Sequence, residues 1–168
     1  MDERIDIYDA NKKLTGRTRL RRQPRADGDF GLVVFVIVQN SQGLYLITKR
    51  AQKDYMPGLW ENTGGVAIAG ETSIEAAMRE FHEETGFTLL AEKGCLICTK
   101  RAMAPGFSCF MDVWLFEMDF DIEGFVPQKG ETIAARWAAR EEILKLHDKG
   151  EFVPLAEIGL DEFYRGYP

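Results

Sequence analysis

Glu80, Glu83 and Glu84 stand three and four residues apart in a segment whose apolar positions recur at helical spacing. Few features restrict a chain more, because three carboxylates on one helix sector need a structural or chemical reason to be there. The helix is expected at about Ser73 to Thr85. Thr72 can cap it, with Glu75 reaching back to complete a capping box. Gly86 suits the left-handed residue that ends such a helix. Ile74, Ala77, Met78 and Phe81 make its core face. The glutamates fall beside that face, and Glu83 and Glu84 are expected to border the core without being buried in it. Oxygen donors alone suit a hard cation such as Mg²⁺ or Mn²⁺ better than zinc. The alternative is a solvated acidic face.

The surrounding pattern predicts one domain over residues 1–168. Arg4 to Tyr8 alternates charged and apolar residues, and Asp9 to Asn11 reads as a turn, giving an N-terminal extension with a hairpin over residues 1–29. Its continuation, Leu14 to Arg25, is polar and arginine-rich. Leu32 to Gln39 is a buried strand, and the turn Asn40 to Gly43 leads to a second strand, Leu44 to Lys49. Ala51 to Gly58 is a loop. Trp60 to Val66 contains a short strand ending at Gly64 and Gly65. After the central helix, strands are expected at Phe87 to Arg101 and Ser108 to Phe120, joined by the loop Met103 to Phe107. A loop at Asp121 to Gly130, a strand at Thr132 to Ala139, a helix at Arg140 to Lys149 and a closing helix at Leu155 to Arg165 complete the chain. This order predicts an α/β fold, a mixed sheet between helices.

Residues 65–87 resemble the Nudix box. Its pattern is glycine, five residues, glutamate, seven residues, then Arg-Glu-apolar-any-Glu-Glu-any-Gly-apolar. Gly65, Glu71, Arg79, Glu80, Glu83, Glu84 and Gly86 fill the specified places, and Phe81 and Phe87 the apolar ones. The resemblance implies an α/β/α sandwich and a pyrophosphohydrolase of the Nudix (MutT-like) superfamily. It implies that Glu80, Glu83, Glu84 and the Gly65 carbonyl hold Mg²⁺, with Mn²⁺ as a substitute. Arg79 would orient a neighbouring glutamate through an ion pair near Glu71, and a purely structural role for both stays open. The base would be Glu131, ahead of a tryptophan-bearing strand, or Glu83. Gly65 lets the backbone approach metal and diphosphate closely.

Residues Glu3 to Asn11 and Met56 to Trp60 resemble the branch that holds isopentenyl-diphosphate isomerase and its hydrolase-like relatives. The isomerases carry a cysteine just ahead of the box glycine, where Gly64 stands here, and use histidine ligands. The two histidines here, His82 and His147, do not fit those places, and His82 is expected in solvent on the side of the helix away from Glu80. A hydrolase acting on a nucleoside diphosphate derivative or related organic pyrophosphate is therefore the leading reading. An isomerase-like enzyme and a non-catalytic Nudix-fold binding module are the alternatives.

For substrate contacts, Gly64, Gly65, Tyr55, Trp60 and Phe107 are the candidates, the aromatic ones for stacking. Arg17, Arg19, Arg21, Arg22 and Arg25 either face a phosphate or form a solvated arm. The composition is 45% hydrophobic and 29% charged, with formal net charge −6. An acidic chain of this kind is not expected to bind nucleic-acid polymers or an anionic membrane. The odd, low cysteine count of Cys95, Cys98 and Cys109 suggests a reducing cytoplasm, and Cys95 and Cys98 are expected to be buried inert thiols rather than half a zinc site. A small-molecule diphosphate is the expected partner, with a homodimer as the compatible assembly.

Overall fold

The computed structural model describes residues 3–23, 26–52, 56–104, 107–154 and 160–166. Its centre is strand β3 (Gly31–Gln39), whose apolar run is buried because the sheet is covered on both sides. Leu32, Val34, Val36 and Val38 face one way and pack with Ala76, Ala77 and Phe81 of helix α1 (Ser73–Thr85). Ile37 faces the other way and packs with Ile143 of α2 (Arg140–Asp148) and Tyr164 of α3 (Asp161–Gly166). The period of two along β3 thus supplies both cores of a helix–sheet–helix sandwich.

The sheet is mixed, as expected. β3 runs parallel to β8 (Phe107–Glu117) along its whole length and antiparallel to β6 (Gly64–Val66). β8 pairs with β7 (Gly94–Ala104) in a long hairpin. β4 (Tyr45–Arg50) follows the Asn40 to Gly43 turn but meets β3 at one register position, Gln39 with Tyr45. It then diverges to pair with β5 (Trp60–Glu61) and β9 (Thr132–Ala138). That splay leaves room on β3 for β6, which delivers Gly64 and Gly65 opposite Phe35 and Val34.

The hairpin at the N-terminus is β1 (Arg4–Tyr8) with β2 (Leu14–Leu20). Its turn is held by the Asp9 carboxylate, which accepts from the backbone N–H groups of Asn11 and Lys13 at 2.8 and 3.0 Å. Lys12 donates from the turn to Asp112, fully buried in β8, which also accepts from Ser73 and Thr99 at 2.6 Å each. A buried carboxylate is tolerable when every neighbour donates to it, and this one ties hairpin, α1 and the β7–β8 pair together.

Two strand bounds and the reading of the cysteines need correction. Phe87 to Leu90 is not strand, and a 3₁₀ turn at Ala91–Lys93 precedes β7. Phe87 and Leu89 are drawn under α1 instead, with Phe87 stacked on Phe120 at 4.6 Å. β8 correspondingly stops at Glu117, short of Phe120. The cysteines are not uniformly buried. Cys109 is, but Cys95 is exposed and Cys98 intermediate, because β7 is an edge strand with a register shift between Leu96 and Cys98. In the expected closing helix, residues 155–159 lie outside the described residues, and the helix described is Asp161–Gly166.

Candidate active site

Helix α1 begins where the sequence says it should. The Thr72 hydroxyl accepts from the Glu75 N–H, and the Glu75 carboxylate accepts from the Thr72 N–H at 2.8 Å. The Thr72 hydroxyl, which donates to the same carboxylate at 2.7 Å, and then the Thr72 N–H hold the Glu75 carboxyl below its usual pKa. Gly86 ends the helix at φ 77°, its N–H donating to the His82 carbonyl at 2.8 Å. Both ends fixed, the register of the glutamates is fixed too. His82 is exposed, with Nδ1 3.1 Å from the Phe87 carbonyl.

Arg79 is the hub of the box. Its Nε donates to Glu71 Oε1 at 2.6 Å and its Nη2 to Oε2 at 3.0 Å, a two-pronged grip. Nη2 also donates to the Val66 carbonyl at 3.1 Å. Nη1 lies 3.0 Å from both Glu80 Oε1 and Glu83 Oε2. Glu71 accepts from the Ile68 N–H at 2.9 Å as well, so the loop between β6 and α1 is pinned to the helix by one guanidinium. The Glu71 hydrogen bond and then the neighbouring carboxylates raise the Arg79 pKa against burial, keeping it charged.

Glu80 lies against the backbone of Gly65. A Cβ on Gly65 would fall 2.1 to 2.3 Å from the Glu80 carboxyl carbon and oxygens, so only glycine leaves that seat open. Burial pushes the Glu80 carboxyl up in pKa, and Arg79 pulls it part of the way back. Gly64 is confined differently. A Cβ there would meet the Val34 carbonyl oxygen at 2.6 Å and the Phe35 ring at 2.7 Å.

The other two glutamates part company. The Glu83 side chain is 43% exposed, while Glu84 is 7% exposed and buried. The expectation that Glu84 would border the core without entering it therefore fails. It lies one helical turn from Phe81, and its backbone is tied to β9: the Thr132 hydroxyl donates to the Glu84 carbonyl at 2.7 Å. The same bond brings the 131–132 turn to the end of α1 that carries the glutamates. Glu131 is half-buried in that turn, its carbonyl accepting from the Ala51 N–H at 2.8 Å. Arg79 engages Glu71, Glu80 and Glu83 in this arrangement. Among the described residues no three His, Cys, Asp or Glu side chains are gathered as a metal-holding group.

Trp60 is not brought to α1. It packs in the cluster on the opposite face of the sheet, with the Arg136 guanidinium 4.6 Å and the Lys49 ammonium 5.6 Å from its ring centre. Tyr55 lies outside the described residues, and Phe107 is described only as the first residue of β8. Several supporting contacts join segments far apart in the chain. Asn62 donates to the buried Tyr164 hydroxyl at 3.1 Å, so α3 braces the strand that leads to Gly64 and Gly65. The Arg4 carbonyl and the Asp6 carboxylate accept from the N–H groups of Ala69 and Gly70, at 2.8 Å each, docking β1 on the box loop. These pairs are remote in sequence, and no local pattern announces them.

Comparison with known proteins agrees with this geometry. The chain matches the NUDIX domain over residues 29–157. An uncharacterised Nudix hydrolase of Listeria monocytogenes is 34% identical over 154 residues, covering 90% of this chain and 89% of the relative. An isopentenyl-diphosphate Delta-isomerase of Serratia proteamaculans is 34% identical over 111 residues, covering 63% of this chain and 59% of the isomerase. The crystal structure of a Deinococcus radiodurans protein superposes with a TM-score of 0.75 at 23% identity, covering 97% of this chain and 99% of that one. A MutT protein from Methanosarcina mazei gives a TM-score of 0.64 at 22% identity, covering 80% and 92%.

Proposed function

The chain belongs to the Nudix family and is a Nudix pyrophosphohydrolase, and from that premise we propose that it uses a divalent cation to cleave the diphosphate linkage of a nucleoside diphosphate derivative or related organic pyrophosphate. The observation that carries the reading is the Glu80 carboxylate seated on Gly65 and tied through Arg79 to Glu71 and Glu83. The donors are oxygens only, Glu80, Glu83, Glu84 and the Gly65 carbonyl, which fits Mg²⁺ or Mn²⁺. The bound cation would polarise the diphosphate and lower the pKa of an attacking water.

The chain's own residues set the stage for that chemistry. Glu71 and Arg79 hold the loop from β6 against α1, so Glu80 and the Gly65 backbone keep one spacing. Glu83 is held from Arg79 by a single contact and is substantially exposed, which leaves it free to turn toward a cation or to take a proton from water. Glu131 is the competing base, placed by Thr132 at the same end of α1. Gly64 and Gly65 leave the backbone bare where a diphosphate would lie, and Tyr55 and Phe107 remain the candidates for stacking on the organic group, Trp60 being packed on the other face of the sheet.

The isomerase reading is disfavoured by the space around Gly64. A cysteine there would put its Cβ into the β3 backbone and the Phe35 ring. The test is a hydrolysis screen over nucleoside di- and triphosphates, nucleotide sugars, dinucleotides and prenyl diphosphates. Turnover is expected with Mg²⁺, abolished by chelator and restored by Mg²⁺ or Mn²⁺. No conversion of isopentenyl diphosphate to its allylic isomer is expected. Full turnover in metal-free buffer, or near-parental rates in both Glu83→Gln and Glu84→Gln, would overturn the proposal, the second result in favour of a binding module.

A further inference from the structure

The splay between β3 and β4 is filled by one ribbon, residues 59–66. The Arg50 N–H donates to the Leu59 carbonyl at 2.9 Å, and the Val36 N–H donates to the Thr63 carbonyl at 2.8 Å, so the ribbon leaves β4 and joins β3. A period of two then sorts its side chains. Trp60, opposite Lys49, packs on the far face of the sheet, and Asn62 reaches Tyr164 there. Glu61 therefore faces α1. Its cross-strand partner is Thr48, which on its other side pairs with Ala135 of β9, a residue packed against the α1 core. Arg50, two residues beyond Thr48, shares that face and stands in register with Thr132, whose hydroxyl donates to the Glu84 carbonyl at 2.7 Å. The order β9, β4, ribbon thus lays Arg50, Thr48 and Glu61 beneath α1. They lie between Thr132, bonded to Glu84, and Gly65, on which Glu80 is seated.

This floor is polar where the rest of the face is apolar. Arg50 Nη1 lies 2.5 Å from Glu61 Oε2, and the two side chains are 17% and 9% exposed. A buried ion pair contributes little to stability, because desolvation offsets the attraction, and apolar packing would serve the fold as well. Thr48 is 1% exposed, and among the described residues its hydroxyl has no hydrogen-bond partner. An enclosed hydroxyl without a partner is unfavourable until something arrives to bond it. A hard cation brings such a partner, since Mg²⁺ dehydrates reluctantly and keeps several waters when carboxylates bind it.

We propose that Thr48 and Glu61 hold the water shell of the divalent cation from the sheet side, with Arg50 fixing the Glu61 carboxylate in place. The inference rests on the metal-dependent reading above and adds positioning residues that the Nudix box does not contain. The probe is Mn²⁺ alone, titrated into the metal-free full chain and followed by the electron paramagnetic resonance signal of the free ion. Thr48→Val keeps the side-chain shape and removes the hydroxyl. Losing an outer-shell partner of a metal costs about 10–100-fold in affinity, so Mn²⁺ should bind about 10-fold or more weakly. Without metal the same variant should melt at or above the parent, because the enclosed hydroxyl is gone. A hydroxyl that served the fold alone would give the reverse pair, a lower melting temperature and unchanged Mn²⁺ binding. Thr48→Ser retains a hydroxyl and should bind Mn²⁺ close to the parent. Glu61→Gln should weaken binding as well, and Thr48→Val decides the matter if that variant does not fold. The inference is overturned if Thr48→Val, or a folded Glu61→Gln, binds Mn²⁺ within twofold of the parent. It is overturned equally if metal-free Thr48→Val melts below the parent, or if Thr48→Ser binds no better than Thr48→Val. A parent that binds Mn²⁺ beside an unchanged Thr48→Val removes this inference alone, whereas a parent that binds no Mn²⁺ removes the metal-dependent reading with it. Thr48-dependent binding without any hydrolysis removes the catalytic reading and leaves the polar floor standing.

Discussion

The two adjacent glycines of β6 are predicted to fail in opposite ways when changed to alanine. Neither has a positive φ, so alanine fits the backbone at both, and the difference lies in what its methyl would strike. At Gly65 the methyl meets the Glu80 carboxyl at 2.1 to 2.3 Å. Ordinary carbon contact is about 3.5 to 4 Å, so the carboxyl must retreat by roughly 1.5 Å. It is the far end of a flexible chain, and turning it off its preferred rotamer costs about 0.5–1.5 kcal/mol. Replacing glycine with alanine restricts the unfolded chain and returns about 0.4–1 kcal/mol. The net change in stability is therefore near zero, and Tm should stay within about 4 °C for a chain of this size. Activity should not survive, because misplacing a reacting group by about 1 Å can cost on the order of 10²-fold in rate. At Gly64 the methyl meets the Val34 carbonyl at 2.6 Å, in the central strand of the sheet. That backbone cannot retreat alone, so overpacking of about 1–3 kcal/mol or more is expected. The assay is differential scanning calorimetry and steady-state kinetics on both variants. If Gly65→Ala keeps the parental rate, the seat of Glu80 on Gly65 has no part in catalysis.

Phe81→Ala empties a fully buried site in the α1 core and should cost about 3–5 kcal/mol, read by urea denaturation. Tyr164→Phe strips the buried Asn62 amide of its partner, which should cost about 1–3 kcal/mol and slow turnover as the strand before Gly64 loosens; an unchanged midpoint would discount the brace. Glu80 bears on pH. Its folded pKa is raised, chiefly by burial, so its contribution to stability is full below the ordinary glutamate range and is lost as pH rises through the folded value. Metal-free Glu80→Gln should accordingly melt at or above the parent at neutral pH, while the gap narrows in acid; a lower melting point at neutral pH would show that Arg79 outweighs burial.

Much of this protein is legible along the chain. The apolar run of β3, the alternation that serves two faces, the capping box of α1 and the glycine that ends it are all local signals. So is the spacing that places Glu80, Glu83 and Glu84 on one helix, because cap and period together fix which way each residue points. What the sequence left open depends on contacts between distant segments. Glu83 and Glu84 are neighbours in the chain, yet one is exposed and the other buried, since which side of α1 is covered depends on segments that reach it from elsewhere in the chain. Phe87 to Leu90 has a strand-like composition, but burial beneath α1 overrides that local preference. Trp60 reads as a stacking residue until β5 carries it to the far face of the sheet. Arg19 stands opposite the buried Ile5 because β2 pairs with β1 in that register, and a strand's register is set by the partner it finds. Local chemistry determines which elements form and where they stop; burial, pairing and the direction of a charge are properties of the assembled fold.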